Sequence, residues 1–217
     1  MDKTLEKKQF QALLKDGLSI MVGGFMTCGT PETLIDWVVE SGVKDLTIIC
    51  NDAGFPEQGV GKLIKNHQVN TLIASHIGLN PFAGAQMSSG ELNVILIPQG
   101  TLAEQIRAHG AGLGGILTPT GRKTIVEEGK QLMAVNGVEY LLEPALGADL
   151  ALIEIAKCDP LGNAVYAKTA RNFNPVMATA CETVVALTHK MVPAIDPEVI
   201  VTPHVFIDYI VKEHDHA

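Results

Sequence analysis

The sequence predicts an α/β fold: an open, doubly wound, mostly parallel sheet with helices on both faces and an inserted antiparallel hairpin. Three observations predict it. Runs such as Leu18–Val22, Leu46–Cys50 and Leu92–Ile97 are apolar enough that neither face of such a strand suits water. Each is followed by a polar or glycine-containing turn and a helical stretch, the rhythm of βαβ units. Asn136-Gly137, set between β-rich flanks, is a strong short-range hairpin signal.

Taken in order, Leu5 to Lys15 places Leu5, Phe10, Leu13 and Leu14 at loosely helical spacing and leads into the strand Leu18–Val22. After the glycine loop Gly23–Gly29, Thr30-Pro31-Glu32 supplies an N-cap, a proline at the first helical position and an acid in the first turn. That helix runs to Ser41-Gly42. Strands follow at Leu46–Cys50, Thr71–Ala74 and Leu92–Ile97, and the ribbon Gln131–Leu142 then interrupts the rhythm. Asp149–Ala156 reads as a buried strand, Asn174–Ala180 as a short helix, Glu182–Thr188 as a strand and Val205–Val211 as a mixed terminal segment. No linker, repeat or low-complexity tract is visible, so residues 1–217 read as one domain.

Composition narrows the function. Sixteen Lys plus Arg against 24 Asp plus Glu give a net charge of −8, which has little to offer a phosphate backbone, so a nucleic-acid partner is not expected. Charged residues are only 18% and hydrophobic ones 47%, with mean hydropathy +0.22. No run approaches the roughly 18 apolar residues of a membrane span, so a large subunit interface is the simplest account of that excess. The start, Met1-Asp2-Lys3-Thr4-Leu5-Glu6-Lys7-Lys8, has no apolar stretch of a secretory signal, and a cytoplasmic location is expected. Cys28, Cys50, Cys158 and Cys181 form no C-x-x-C and read as reduced, small buried hydrophobes. The terminal His214-Asp215-His216 is assigned no function, and no metal site is expected.

In a doubly wound sheet, ligands bind beyond the carboxyl ends of the strands. Gly23–Gly29 sits there, between strand and helix, where backbone N–H groups can receive a phosphate or where a tight turn simply lets strand and helix pack. Gly24-x4-Gly29 has Walker-A spacing, but Thr30-Pro31 stands where Lys-Ser/Thr belongs, which excludes a P-loop NTPase. Gly110-Ala111-Gly112-Leu113-Gly114-Gly115 matches a dinucleotide fingerprint literally, yet it follows a helix and leads into Ile116-Leu117-Thr118-Pro119, which cannot open one. A ligand-side loop and a flexible connector both stay open for it. Asn51-Asp52 and Gln99-Gly100 fall at strand ends, where uncharged amides suit a carbonyl or a developing oxyanion, or serve as turn residues. Asp52 also stands where a nicotinamide ribose would find its acid, so an oxidoreductase domain remains an alternative. Glu104 and Arg107 read as a surface pair, and Lys168, Arg171 and Asn172 either touch an anion or face solvent. No Ser-His-Asp order, G-x-S-x-G elbow or H-E-x-x-H is present.

The run Asp16-Gly17-Leu18-Ser19-Ile20-Met21-Val22-Gly23-Gly24-Phe25-Met26-Thr27-Cys28-Gly29-Thr30-Pro31 resembles the signature of the α subunit of class I (3-oxoacid type) CoA-transferases. The likeness continues through Asn51-Asp52-Ala53-Gly54, Ser89-Gly90-Glu91-Leu92, Pro98-Gln99-Gly100-Thr101-Leu102-Ala103-Glu104, Gly110-Ala111-Gly112, Thr118-Pro119-Thr120-Gly121 and Ala170-Arg171-Asn172-Phe173-Asn174. It is nearest to the bacterial acetate (butyrate–acetoacetate) branch. The resemblance implies a ping-pong transfer of CoA between a short-chain acyl-CoA and a free carboxylic acid, through a glutamate on a β subunit in an α2β2 assembly. The S-E-N-G type motif of that glutamate is absent here. By the same resemblance Gln99 is the oxyanion donor, Gly24, Phe25, Met26, Thr27, Cys28, Gly29 and Thr30 form the CoA-binding loop, and Asn51 and Gly54 lie near the substrate. CoA is then a substrate, with no permanently bound cofactor. A non-catalytic ligand-sensing domain of the same superfamily is the other alternative.

Overall fold

A computed structural model describes residues 3–213, so Met1-Asp2 and the His214-Asp215-His216 segment lie outside the described residues. Along the chain run α1 (Lys7–Gln11), β1 (Ser19–Val22), α2 (Glu32–Ser41), β2 (Leu46–Ile49), α3 (Gly61–Lys65), β3 (Val69–Ala74), α4 (Pro81–Ser89), β4 (Asn93–Leu96) and α5 (Gln99–Gly110). There follow β5 (Gly115–Thr118), β6 (Leu132–Val135), β7 (Val138–Pro144), β8 (Ala148–Ile155), β9 (Lys157–Cys158), β10 (Ala164–Val165), α6 (Asn174–Met177), β11 (Cys181–Thr188) and β12 (Tyr209–Lys212).

Seven strands form one sheet in the order β12-β11-β8-β1-β2-β3-β4, and every pair in it is parallel. The chain builds outward from β1 to β4, then returns to lay β8, β11 and β12 on the other side of β1. The switch point therefore lies between β1 and β8, and the loop after β1 opens onto it.

Both faces are covered, as the unbroken apolar runs predict. Ile20, Val22, Ile48, Leu150 and Leu152 pack with Leu34, Ile35 and Val38 of α2 and Leu63 of α3. Their neighbours Met21, Ile49, Ala151 and Ile153 point the other way, to Leu102 and Ile106 of α5 and Met177 of α6. Each such Leu or Ile, fully buried, contributes roughly 1.5–3 kcal/mol, so the strand alternation itself is the main stabilising term.

Several expectations need correction. The first helix is shorter than Leu5–Lys15 because the chain before it is drawn into pairing with β12: the Leu5 N–H donates to the Ile210 carbonyl at 2.9 Å, and the Ile210 N–H to the Lys3 carbonyl at 2.8 Å. Helix α2 begins at Glu32 with Pro31 at its cap position and no side-chain cap, so Thr30 does not serve as N-cap. Its exit is as read, with Gly42 left-handed at φ +72°. The inserted ribbon has three strands, in the order β5-β7-β6, because the glycine run after α5 feeds Gly115–Thr118 antiparallel onto β7. Its hairpin tip is as predicted: Asn136 and Gly137 are both left-handed, at φ +52° and +78°, the type I′ geometry. Finally, β4 is an edge, and its Ile95 and Leu96 are 42% and 53% exposed.

Candidate functional site

The loop after β1 is a tight turn. The Phe25 N–H donates to the Cys28 carbonyl at 3.1 Å and the Cys28 N–H to the Phe25 carbonyl at 3.0 Å, leaving Met26 and Thr27 at the tip. The turn needs glycine at both ends. Gly24 has φ +121° and a Cβ there would run into the Thr30 hydroxyl, while Gly29 has φ +76° and lies against the Ala170 backbone. Thr30 is buried beneath Gly24, which is why its side chain is not at the helix start. The Phe25, Met26 and Cys28 N–H groups are all engaged within the protein, so this loop is not an empty phosphate cradle. What it presents outward is apolar: Phe25 and Met26 are 43% and 37% exposed.

The group that holds Met26 is the carboxylate of Asp52. Its Oδ2 accepts the Met26 N–H and the Asn51 Nδ2, both at 2.7 Å, and its Oδ1 accepts the Gly54 N–H at 2.9 Å. Asp52 is thus buried and its two oxygens are held by three N–H donors of the surrounding loops, which binds it to the first turn instead of leaving it free for a ribose diol, against the oxidoreductase alternative. Beside it, burial pushes the Cys50 thiol well up, and the charge of Asp52 adds to that effect, so this thiol is not a nucleophile at neutral pH. With its nitrogen on Asp52, Asn51 turns its oxygen toward Gln99, whose Nε2 donates at 3.2 Å, and toward the Ser75 hydroxyl at 3.4 Å.

These residues meet at one place. Phe25, Met26, Asn51, Asp52 and Gln99 line a cleft of about 340 Å³ together with Ser75, His76 and Leu79. A smaller cavity behind it is bounded by Gly24, Thr30, Asn51 and Asp52. Gln99 is the first residue of α5, preceded by Pro98, and is exposed to the cleft. Thr27 is half-buried, and Cys28 is exposed rather than buried, with its Sγ 3.1 Å from the Thr169 hydroxyl. Gly54 stands apart from the cleft lining and shapes the next turn. The cleft therefore holds an amide donor between apolar walls and no carboxylate free to attack a substrate.

Turn one is also clamped from behind. Asn174, fully buried at the start of α6, donates from Nδ2 to the Gly29 and Ala170 carbonyls, each at 2.9 Å, and accepts the Glu154 N–H at 2.9 Å. A Cβ on Gly23 would collide with this side chain. Asn172 is a second clamp, donating to the Cys28 carbonyl at 2.9 Å, while Lys168 and Arg171 are exposed. Behind Asn174, Glu154 of β8 meets His189 at 3.2 Å, and His189 also contacts Glu213. Burial pulls His189 down, but its hydrogen bonds to Glu154 and Glu213 outweigh this and the net shift is upward. Burial raises Glu154, and the opposing pull of His189 does not cancel it.

Other sequence candidates sit elsewhere. Glu104 and Arg107 form an exposed pair, and the glycine run from Gly110 ends α5 and feeds β5. Cys158 is raised and Cys181 is pushed up to about 12 by burial, as inert thiols. Sequence reading missed Ser75, His76 and Leu79, which carry no motif. It also missed an internal repeat: Gly24-Phe25-x3-Gly29 recurs after the next strand as Gly54-Phe55-x3-Gly59, with a second turn closed by the Gln58 N–H on the Phe55 carbonyl at 3.1 Å.

Comparison with known proteins places this geometry. The family model described as Coenzyme A transferase matches residues 6–213. The acetate CoA-transferase subunit alpha of Escherichia coli K12 is 51% identical over 215 residues, covering 98% of this chain and 98% of that protein. The acetoacetyl-CoA:acetate/butyrate CoA transferase alpha subunit of Clostridium acetobutylicum is 50% identical over 213 residues, covering 97% of this chain and 98% of that protein. Among solved structures, an acyl-CoA transferase from E. coli O157:H7, as a thioester complex with CoA, superposes with TM-score 0.88 at 21% identity, covering 100% of this chain and 48% of that one. That last likeness concerns the fold.

Proposed function

This chain belongs to the coenzyme A transferase family, and on that footing we propose that it is the α subunit of an acetate-type, short-chain acyl-CoA:carboxylic acid CoA-transferase, acting as one domain beside a β subunit. The observation that carries the reading is the cleft itself, which offers the Gln99 amide and apolar walls but no free carboxylate. A ping-pong transferase needs such a carboxylate as nucleophile, so the partner supplies it.

In this reading the partner's glutamate attacks the acyl-CoA carbonyl, and the carbonyl oxygen gains the negative charge. Gln99, at the N-terminus of α5, donates an Nε2 hydrogen to that oxyanion, and the helix end adds a favourable field. The tetrahedral centre collapses by expelling the CoA thiolate, leaving an acyl anhydride on the glutamate. The thiolate then attacks the glutamyl carbonyl, releasing the first acid and forming the enzyme thioester. A second acid takes the place of the first and the steps run backward.

Gly24 to Thr30 form the wall that CoA meets, with Phe25 and Met26 as its apolar contacts, and Asn51 lies next to the reacting group. Gly54 acts through the backbone of the second turn. CoA is a substrate here and not a resident cofactor.

The exposed apolar residues suit an α2β2 assembly. Ile95 and Leu96 on the β4 edge and Leu132, Met133 and Val138 on the three-stranded ribbon are each more than a third exposed, and a large obligate interface would cover them. Among the described residues no helix is long and apolar enough to cross a membrane. The reading places the enzyme in the cytoplasm, in short-chain fatty acid metabolism, without a nucleic-acid or membrane partner.

The test is Gln99→Ala combined with the β subunit. Assembly, read by size-exclusion chromatography, should persist while turnover falls about 10²- to 10³-fold, the loss typical of removing one oxyanion donor. An unchanged rate would remove Gln99 from the mechanism.

A further inference from the structure

We infer that Asp52 is a positioning residue that fixes which atom Gln99 presents to the substrate; the inference rests on the role proposed for Gln99. A side-chain amide looks nearly symmetric in shape, yet one end accepts and the other donates, so an oxyanion donor works only if its nitrogen is held toward the reacting oxygen. Nothing in Gln99 alone decides this, since it is exposed and starts a helix. The decision is made one residue pair away.

The partners of Asp52 are all N–H donors: Met26 N, Asn51 Nδ2 and Gly54 N, at 2.7, 2.7 and 2.9 Å. Only a group that accepts on both oxygens satisfies all three, which an ionised carboxylate does and an amide does not. Asp52 thereby compels Asn51 to face it with nitrogen and to turn Oδ1 outward. Ser75 fixes the backbone on which this side chain sits, its hydroxyl donating to the Asn51 main-chain carbonyl at 2.7 Å. With an acceptor before it, Gln99 approaches Asn51 with Nε2 at 3.2 Å, and the second hydrogen of that nitrogen has no protein acceptor among the described residues. The polarity of the catalytic amide is thus inherited, Asp52 to Asn51 to Gln99. The same carboxylate holds Met26 at φ +56°, tying the tip of the first turn to this chain of amides.

The experiment is a double-substitution cycle in the complex with the β subunit, measuring kcat and KM for acetoacetyl-CoA. Asp52→Asn keeps size and shape but replaces one acceptor by a donor, and kcat should fall by about tenfold or more, as for loss of a charge-assisted hydrogen bond. In a Gln99→Ala background the same substitution should cost kcat several-fold less, because no catalytic amide remains to orient and only the ties to Met26 and Gly54 are disturbed. An equal loss in both backgrounds, or no loss in either, would overturn the inference while leaving the transferase reading intact. An inactive unsubstituted complex would instead fail that reading. A measurement without substitution covers the case in which Asp52→Asn does not assemble. In the complex with the β subunit carrying the ¹⁵N-labelled chain, the Asn51 side-chain NH2 protons should show cross-relaxation with the Met26 amide proton, since both point at Oδ2. Their absence would place the Asn51 oxygen at Asp52 and contradict the inference.

Discussion

The two Gly-Phe-x3-Gly turns share a backbone and differ in almost everything else. Both follow adjacent parallel strands, both are closed between the Phe and the residue before the last glycine, and both flanking glycines are left-handed in each. Each is clamped by a buried asparagine: Asn174 on the Gly29 carbonyl, and Asn80 on the Ala53 carbonyl at 2.9 Å. A close glycine permits the approach each time, Gly23 against Asn174 and Gly61 against Asn80. The difference lies in where the strands stand. The first turn rises beside the switch point, where Asp52 reaches it and Gln99 faces it. The second carries Pro56 and Glu57 at its tip, forms part of an open surface depression, and is anchored by the Gly59 N–H on Glu32 at 2.8 Å. One backbone device therefore lines the cleft in one place and packs at the surface in the other, and position in the sheet, not the motif, decides which.

The sharpest contrast is in rate. Gln99→Ala, at the cleft beside turn one, is expected to lower turnover about 10²- to 10³-fold, whereas Glu57→Ala at the tip of turn two should leave it within about twofold. Comparable losses in steady-state assays would erase the distinction.

In stability the two turns should be closer together. Asn174→Ala removes the side-chain partner of the part-buried Glu154 N–H and Ala170 carbonyl and of the buried Gly29 carbonyl, and should cost about 3 kcal/mol in denaturant unfolding. Asn80→Ala removes the bond to Ala53 and the cap that accepts the Phe82 and Ala83 N–H groups, a loss of about 2 kcal/mol. A near-zero effect at either asparagine would show that its turn is held by something else.

Turn one backs onto a histidine cluster, in which His189 of the β11 end faces Glu154 of β8 and Glu213 beyond β12, with Glu32 of α2 nearby. The His189 pKa is raised above its ordinary 6.5 on folding, so its contribution is fully present below that pH and is lost as pH rises through the folded value. The raised Glu154 acts in the same direction at lower pH, from its ordinary 4.5 upward. The melting temperature should therefore decline as pH rises above about 6.5, and His189→Gln should flatten that slope. A slope unaltered by the substitution would exclude His189 as its source. The smallest effect is expected at the exposed Lys65–Glu57 pair, where Glu57→Ala should change stability by no more than about 0.5 kcal/mol.

Much of this was legible in the sequence, and for identifiable reasons. Strands buried on both faces write continuous apolar runs, so the parallel sheet was readable, and Asn136-Gly137 announced its hairpin. Asn51 and Gln99 were singled out as candidates because the carboxyl ends of such strands are where ligands bind, and both line one cleft. What could not be read was long-range. Asn174 reaches the first turn from far along the chain, the cluster of Glu154, His189 and Glu213 is assembled by strand order, and Ser75, His76 and Leu79 enter the cleft only because β3 lies beside β2. Thr30 had the composition of a cap, but burial under Gly24 took its hydroxyl elsewhere. The direction of Asp52 was invisible for the same reason: an acid after a strand can face a ribose or fold back on its own loop, and only the packed turn chooses.

The most direct test of the account is CoA exchange between acetoacetyl-CoA and acetate, measured on this chain alone and again with its companion β subunit. The account predicts no exchange by the chain alone, because its cleft has a donor and no nucleophile, and rapid exchange in the mixture. Exchange by the chain alone would contradict it by showing that the attacking carboxylate is here after all, and absence of exchange in both would contradict the transferase reading itself.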